Sequence, residues 1–392
     1  MEYLTQDGLK MSHIGIGTYS LSGVYGQKEV TQIKKVINHA YELGVNFFDT
    51  AEAYGNAEKI LGETIKNYRD KVIISTKVGI RKNTKPNLSY DYINSACEDS
   101  LKRLNTEYID IYNLHFNDPD TPVEETIGAL EDLQKEGKIR KYGLGHLPKK
   151  KVKEYIKKGS VFSVLMELSP ISRKSSEELL PICRENNVGC IAFSITGRGL
   201  LSGKYKKDTI FEKDDIRNID PQFQRERIKF SLEIMKKLKN IGDKYQMSSV
   251  QVAITWVLSR KGIITALTGP SSIEHLEENL GGSRILPQND LLEIDDYIKE
   301  KEKWLKEKEM NTVKNLLHKK LSGDPGNIFV DLVYCIETSI TNGLVEEQEI
   351  IPVFYTLYGM RNKLHKIKML DLENIQKEIK KIIKAGQRND FL

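Results

Sequence analysis

Short apolar runs alternate along this chain with stretches in which apolar residues recur every three or four positions. The first kind predicts strands buried on both faces, the second amphipathic helices. Strands are predicted at residues 14–17, 45–49, 72–76, 109–114, 141–145, 162–166, 188–193 and 263–267. Helices are predicted in the gaps, among them 30–43, 90–104, 123–136 and 175–186. Strands separated by helices of this length imply βαβ units with parallel strands. Eight such strands imply an α/β fold of the (β/α)8 TIM-barrel type, whose site lies among the loops at the carboxyl ends of the strands.

Two stretches break the alternation. Residues 194–260 form a long insertion between the seventh and eighth strands, with a charged loop from Lys206 to Asp215 followed by two helical segments. A long loop at that end of a barrel is usually functional, here as a cofactor clasp or lid. After Pro287 the character changes. Residues 290–309 predict a highly charged helix, Gly323-Asp324-Pro325-Gly326 a turn, 328–340 and 350–358 segments apolar enough to pack, and 371–383 an amphipathic helix. The expected division is a barrel over 1–300 and an all-helical C-terminal extension over 301–392. That extension has three readings: a surface for homo-oligomer or partner contacts, a wall of the pocket, or a buttress. The basic stretches 149–153 and 361–368 read as solvated helix faces.

Composition narrows the function classes. Of 392 residues, 39% are hydrophobic and 29% charged, as in a soluble globular protein. Sixty basic side chains nearly balance 55 acidic ones, so the net charge of +5 does not suggest nucleic-acid binding. Cys97, Cys183, Cys190 and Cys335 have no metal-ligand spacing, and no metal site is expected. No apolar stretch approaches the roughly 20 residues of a membrane span. The first residues lack the pattern of a secretory signal. The expectation is a cytoplasmic protein with no membrane partner.

Four side chains at or just past the ends of three predicted strands carry candidate chemistry: Asp49, Tyr54, Lys77 and His115. In a parallel barrel they converge on one mouth. Lys77 is expected to lower the pKa of a neighbouring Tyr54 phenol, Asp49 to hold Lys77, and His115 to orient a substrate carbonyl. Tyr54 is then a general acid for an alkoxide. The hydride that creates an alkoxide must come from a cofactor, because no side chain delivers one. Singly, each of these residues reads as a helix cap, a packing group or a solvated charge. Together they favour catalysis.

The order Asp, Tyr, Lys, His resembles the catalytic tetrad of the aldo-keto reductases. So do Asp49-Thr50-Ala51-x-x-Tyr54-Gly55, the run His115 to Pro122 with Glu125-Thr126, the run Gly197 to Lys204, and Glu277-Glu278-Asn279-Leu280. The resemblance spans about residues 10–285. It implies reduction of an aldehyde or ketone, or the reverse oxidation, with NADP or NAD as cofactor. By the same resemblance Ser194, Thr196, Gly197, Arg198, Gly199 and Leu200 clasp the pyrophosphate, and Gly17 and Thr18 contact the cofactor. Gly269, Ser271, Ser272, His275, Glu278 and Asn279 take the adenosine end. At the nicotinamide end Gly145 and His146 stand where the family usually has Ser-Asn. Leu165 and Leu168 stand for its usual Gln and Tyr. Tyr19, Tyr25 and Phe116 suggest an aromatic-lined substrate mouth. The alternative is a cofactor-binding sensor or interaction protein on the same fold, with little turnover.

Overall fold

The computed structural model describes residues 1–23, 25, 29–80, 85–212, 215–345, 350, 353 and 369–385. The predicted segment 350–358 lies mostly, and the basic stretch 361–368 wholly, outside them.

All eight predicted strands form, and their ends move by no more than two residues. They are β3 (Ile14–Gly17), β4 (Phe47–Asp49), β5 (Ile73–Val78), β6 (Ile109–Phe116), β7 (Ile139–His146), β8 (Ser163–Glu167), β9 (Gly189–Phe193) and β10 (Ile263–Thr268). They close in the order β10-β3-β4-β5-β6-β7-β8-β9, every neighbour parallel. Every residue of β5 is buried, and all of β6 except Phe116. This is why these strands read as unbroken apolar runs rather than as alternation.

Around the barrel lie α1 (Val30–Glu42), α2 (Ala57–Ile65), α3 (Tyr90–Leu104), α4 (Val123–Lys135), α5 (Lys149–Lys158), α6 (Lys174–Glu185), α8 (Ser249–Leu258) and α9 (Ile273–Leu280). In α3 the buried residues Ile93, Ala96, Cys97, Ser100, Leu101 and Leu104 recur at three- and four-residue spacing. Asn105 ends the helix with a left-handed φ of 50°. Ser248 and Gln251 form a reciprocal capping box at the start of α8.

The sequence reading missed an N-terminal hairpin, β1 (Tyr3–Gln6) with β2 (Leu9–Ser12). Its two-residue turn is Asp7-Gly8, with φ of 44° and 81°. Asp-Gly between short strands is itself a hairpin signal. Leu9 and Met11 join the interior cluster of Phe47, Ile73, Ile111, Phe162, Leu165, Ile191, Ile264 and Leu267. Gln6 Nε2 donates to the Phe162 carbonyl just ahead of β8, so the hairpin closes the amino end of the barrel.

The chain forms two compact units: residues 1–205 with 234–294, and 206–233 with 295–392. The second unit holds much of the insertion, including the start of α7 (Arg225–Asp243), together with the C-terminal helices. These are α10 (Gln288–His318), continuing from the first unit, α11 (Pro325–Thr341) and α12 (Met369–Ala385). Its core gathers Val313, Leu317, Phe329, Leu332 and Ile336 with Leu372, Ile375, Ile379 and Ile383. Gln376 Nε2 donates to the Leu316 and Lys319 carbonyls at the end of α10. Buried Arg227 donates from Nε to Glu309 Oε1 at 2.5 Å, and Asn342 donates to the other Glu309 oxygen at 2.8 Å. This ion pair ties the insertion segment to the C-terminal helices inside one unit. No helix among the described residues is long and apolar enough to cross a membrane.

Candidate active site

The structure brings Asp49, Tyr54, Lys77 and His115 together at the carboxyl mouth. Asp49 ends β4, Lys77 is next to last in β5, and His115 is next to last in β6. Lys77 Nζ donates to Asp49 Oδ1 at 2.5 Å and to the Thr50 carbonyl at 2.8 Å. Both members of the pair are buried, with Asp49 4% and Lys77 5% exposed. The ammonium lies 4.9 Å from the centroid of the Tyr54 ring. The His115 ring stands edge-on to that ring at 5.8 Å.

The electrostatics correct one expectation. The Tyr54 phenol is not lowered overall, despite the ammonium beside its ring. It is pushed well above the ordinary value of 10.0, first by burial and then by the Asp49 charge. The side chain keeps some solvent contact, yet protein packs densely around the phenol. Lys77 is paired with Asp49, whose negative charge opposes its effect on the ring. Burial also raises Asp49 above its ordinary value, with Lys77 and the Ser75 hydroxyl working against that rise.

Burial, then Lys77, then His146 hold His115 well below 6.5, so its imidazole is neutral. A histidine that resists protonation when folded gives stability that is present above its unfolded pKa and lost as pH falls below it. Acidification from about pH 7.5 to about pH 5.5 should therefore lower the Tm of wild type more than that of His115→Gln. The expected difference grows at up to about 1.4 kcal/mol per pH unit below the unfolded value. Parallel thermal melts measure it, and equal losses in both proteins would contradict a neutral buried imidazole.

An aromatic wall surrounds these groups. Tyr19 packs edge-on to Tyr54 at 5.0 Å and to Tyr25 at 5.9 Å. Phe116 stacks on His115 at 4.6 Å and on His146 at 4.9 Å. His146 ends β7 and is exposed, while protein crowds its inner side. That crowding, with the charges of Lys77 and Arg198, pushes its pKa down, less than full burial would because solvent reaches the ring.

The residues expected at a cofactor fall in three groups. At the ends of β3 and β7, the Thr18 hydroxyl donates to the Asp49 carbonyl at 3.0 Å, and Gly145 packs against the β6 backbone. Gly17 follows Ile16 at the end of β3. After β9, Ser194, Gly197, Arg198 and Gly199 all take left-handed backbone, φ 55°, 58°, 55° and 90°. Thr196 accepts from the Gly199 and Leu201 amides within this turn. Non-glycine residues held there store strain of a kind that clusters at ligand sites. Arg198 pairs with Glu167 at 3.2 Å, and Leu200 and Leu168 are buried. After β10, Ser272 caps α9, and Ser271 Oγ lies 3.1 Å from His275 Nδ1. Asn279 donates to the Thr268 hydroxyl at 2.6 Å, and Glu278 is partly exposed. Leu165 belongs to the interior apolar cluster.

Two residues escaped the sequence reading. Ser75 and Asn113 are fully buried and bonded into the Asp49–Lys77 pair. The available signal was period-two placement: Ser75 with Lys77, and Asn113 with His115, are polar residues on strand faces otherwise filled by Ile73 and by Ile109 and Ile111. Buried polar atoms without a partner also concentrate here, including Thr50 Oγ1, Asn113 Oδ1, His115 Nδ1 and Ser163 Oγ. Such atoms are uncommon and mark places where structure yields to function.

A closed parallel barrel with this mouth belongs to the NAD(P)-dependent oxidoreductases that reduce carbonyl groups. The chain is a member of the Aldo/keto reductase family, whose sequence profile matches residues 13–299. It is 34% identical over 298 residues to the aldo-keto reductase YhdN of Bacillus subtilis, a match covering 72% of this chain and 89% of that protein. It is 31% identical over 284 residues to the aldo-keto reductase yakc (NADP(+)) of Schizosaccharomyces pombe, covering 69% and 84%. Among solved structures it resembles the glycerol dehydrogenase AKR11B4 of Gluconobacter oxydans, with a TM-score of 0.69 and 27% identity, covering 75% of this chain and 94% of that one. The residues beyond 299 lie outside the family match.

Proposed function

We propose that the chain reduces an aldehyde or ketone to an alcohol with NADPH, and runs the reverse oxidation, using Tyr54 as general acid and base. One observation carries this: a buried ammonium, locked to Asp49 at 2.5 Å, lies over the ring of a tyrosine that a neutral histidine also faces. Bound NADPH supplies the hydride that reaches the carbonyl carbon. Neutral His115 donates one N–H to the carbonyl oxygen and orients it. Tyr54, protonated throughout neutral pH, gives its proton to the alkoxide, a far stronger base than phenolate. The tyrosinate left behind meets the Lys77 ammonium beside its ring. By favouring the tyrosinate, Lys77 offsets part of the rise that burial and Asp49 impose on the phenol, without bringing it down to its ordinary value.

The turn at Ser194, Thr196, Gly197, Arg198, Gly199 and Leu200 suits a pyrophosphate, because Arg198 lies in a strained run at its centre. Ser271, Ser272, His275, Glu278 and Asn279 suit the adenosine end, where hydroxyls and the start of α9 favour an anion. Gly17, Thr18, Gly145, His146 and Leu168 suit the nicotinamide end. Tyr19, Tyr25 and Phe116 form the substrate wall, which suits a small or aromatic carbonyl.

The test is NADPH titration, followed by its oxidation against a panel of hydroxyaldehydes, ketoses and aromatic aldehydes. Turnover of at least one member is expected. Tight NADPH binding with no oxidation by any of them would replace this reading with that of a cofactor sensor.

A further inference from the structure

Inside the barrel a directed chain of hydrogen bonds runs toward the ion pair. Asn113 Nδ2 donates to Ser75 Oγ at 2.9 Å and to the Thr76 carbonyl at 3.1 Å. Ser75 Oγ donates to Asp49 Oδ2 at 2.9 Å. Asp49 Oδ1 takes the Lys77 ammonium. Asn113, Ser75 and Thr76 are each 0% exposed.

The direction of this chain follows from donor and acceptor identity alone. A backbone carbonyl only accepts, so the Asn113 amide must turn its NH2 toward Thr76. The same NH2 then faces Ser75, whose oxygen accepts. A hydroxyl has one proton, and Ser75 must spend it on Asp49. Both carboxylate oxygens of Asp49 therefore receive donors, and a proton placed on Oδ2 would find an acceptor only if Ser75 turned its own proton away. The arrangement has a cost. Asn113 Oδ1 is turned toward Gly143 and has no partner, and Ser163 Oγ beside it has none. A β-carbon at Gly143 would come within 2.3 Å of the first and 2.7 Å of the second, so only glycine leaves room for them. Flipping the amide would offer a donor toward Ser163 but set its oxygen against the Thr76 carbonyl and free the Ser75 proton. The observed orientation leaves a buried acceptor unsatisfied and keeps the chain pointed at Asp49.

We propose that Asn113 and Ser75 are positioning residues, fixing the Asp49 carboxylate as a double acceptor so that Lys77 stays aligned beside Tyr54. This rests on the assignment of Tyr54 as the general acid. Among the described residues, Lys77 on β5 and Tyr54 in the loop after β4 interact electrostatically with Asp49, and His115 and His146 follow beyond Tyr54 at the ends of β6 and β7. β3 contributes none of its own, and the two histidines are held toward their neutral forms. Losing the Ser75 bond should thus make Asp49 easier to protonate, with Lys77 the only cation bonded to it among the described residues.

Ser75→Ala should lower kcat about tenfold, the equivalent of one lost hydrogen bond to a charged group, and leave the NADPH Kd within about twofold. The acidic limb of kcat/KM should move to higher pH. Ser75→Thr, which restores the hydroxyl, should return both. Should Ser75→Ala not fold, Asn113→Leu makes the same test, because it leaves the Ser75 proton free to turn away. Wild-type kcat with an unmoved pH limb would overturn the proposal. So would a loss of activity that tracks the folded fraction at every pH. Tyr54→Phe, assayed alongside, separates the two ideas. If it is inactive while Ser75→Ala is normal, only the positioning role fails. If it stays active, the underlying assignment fails first.

Discussion

Tyr54→Phe should bind NADPH as wild type does and lose about a thousandfold in kcat, the middle of the range for a general acid. The substitution removes a single oxygen. The ring keeps its contacts with Tyr19 at 5.0 Å, Lys77 at 4.9 Å and His115 at 5.8 Å, so neither pocket shape nor the ion pair is disturbed. Loss concentrated in kcat, with substrate KM little changed, is the mark of a group needed only when charge develops on the substrate oxygen. Because burial and Asp49 hold the phenol far above 10.0, wild-type reduction should stay level through neutral and mildly alkaline pH. The reverse oxidation needs the phenolate and should rise with pH instead. Stopped-flow and steady-state rates in both directions measure this. A Tyr54→Phe enzyme within tenfold of wild type would remove Tyr54 from the chemistry.

Lys77→Met should be costly twice over. Methionine fills a similar volume without charge, leaving Asp49, 4% exposed, with no cation. Breaking a buried pair by deleting one partner costs about 3–5 kcal/mol, because the remaining charge stays desolvated. Urea unfolding should register that loss. The rate should also fall, by about a hundredfold or more, because the tyrosinate formed in reduction has lost its nearest cation. Adding Asp49→Asn should recover most of the stability and none of the rate, since a neutral pair suits a dry interior but supplies no field. If the double variant is as unstable as Lys77→Met, the loss comes from packing and not from charge. If Lys77→Met retains wild-type kcat, the ammonium is structural.

The barrel was legible because each strand is short, apolar and bounded by helix-period sequence. Parallel strands covered on both faces leave that signature wherever they occur. The hairpin at residues 3–12 was missed because its strands are only four residues each and the first has no buried residue, though Asp7-Gly8 announced its turn. In the insertion, sequence marked both helical segments and the charged loop. It did not reveal that residues 206–233 fold with the C-terminal helices, since Arg227 and Glu309 are 82 positions apart.

By itself, then, the sequence determined which side chains reach the mouth. Strand periodicity and chain order fix the ends at which Asp49, Lys77 and His115 emerge, and the family motifs add Tyr54. Tertiary structure alone decided their state. The pKa of a phenol or imidazole depends on how much water is displaced around it and which charges are already paired. Those quantities belong to groups brought together from β4, β5, β6 and β7. For that reason the expectation of a lowered Tyr54 pKa failed, with burial and Asp49 outweighing Lys77, and Ser75 and Asn113 became visible only once their bonds could be traced.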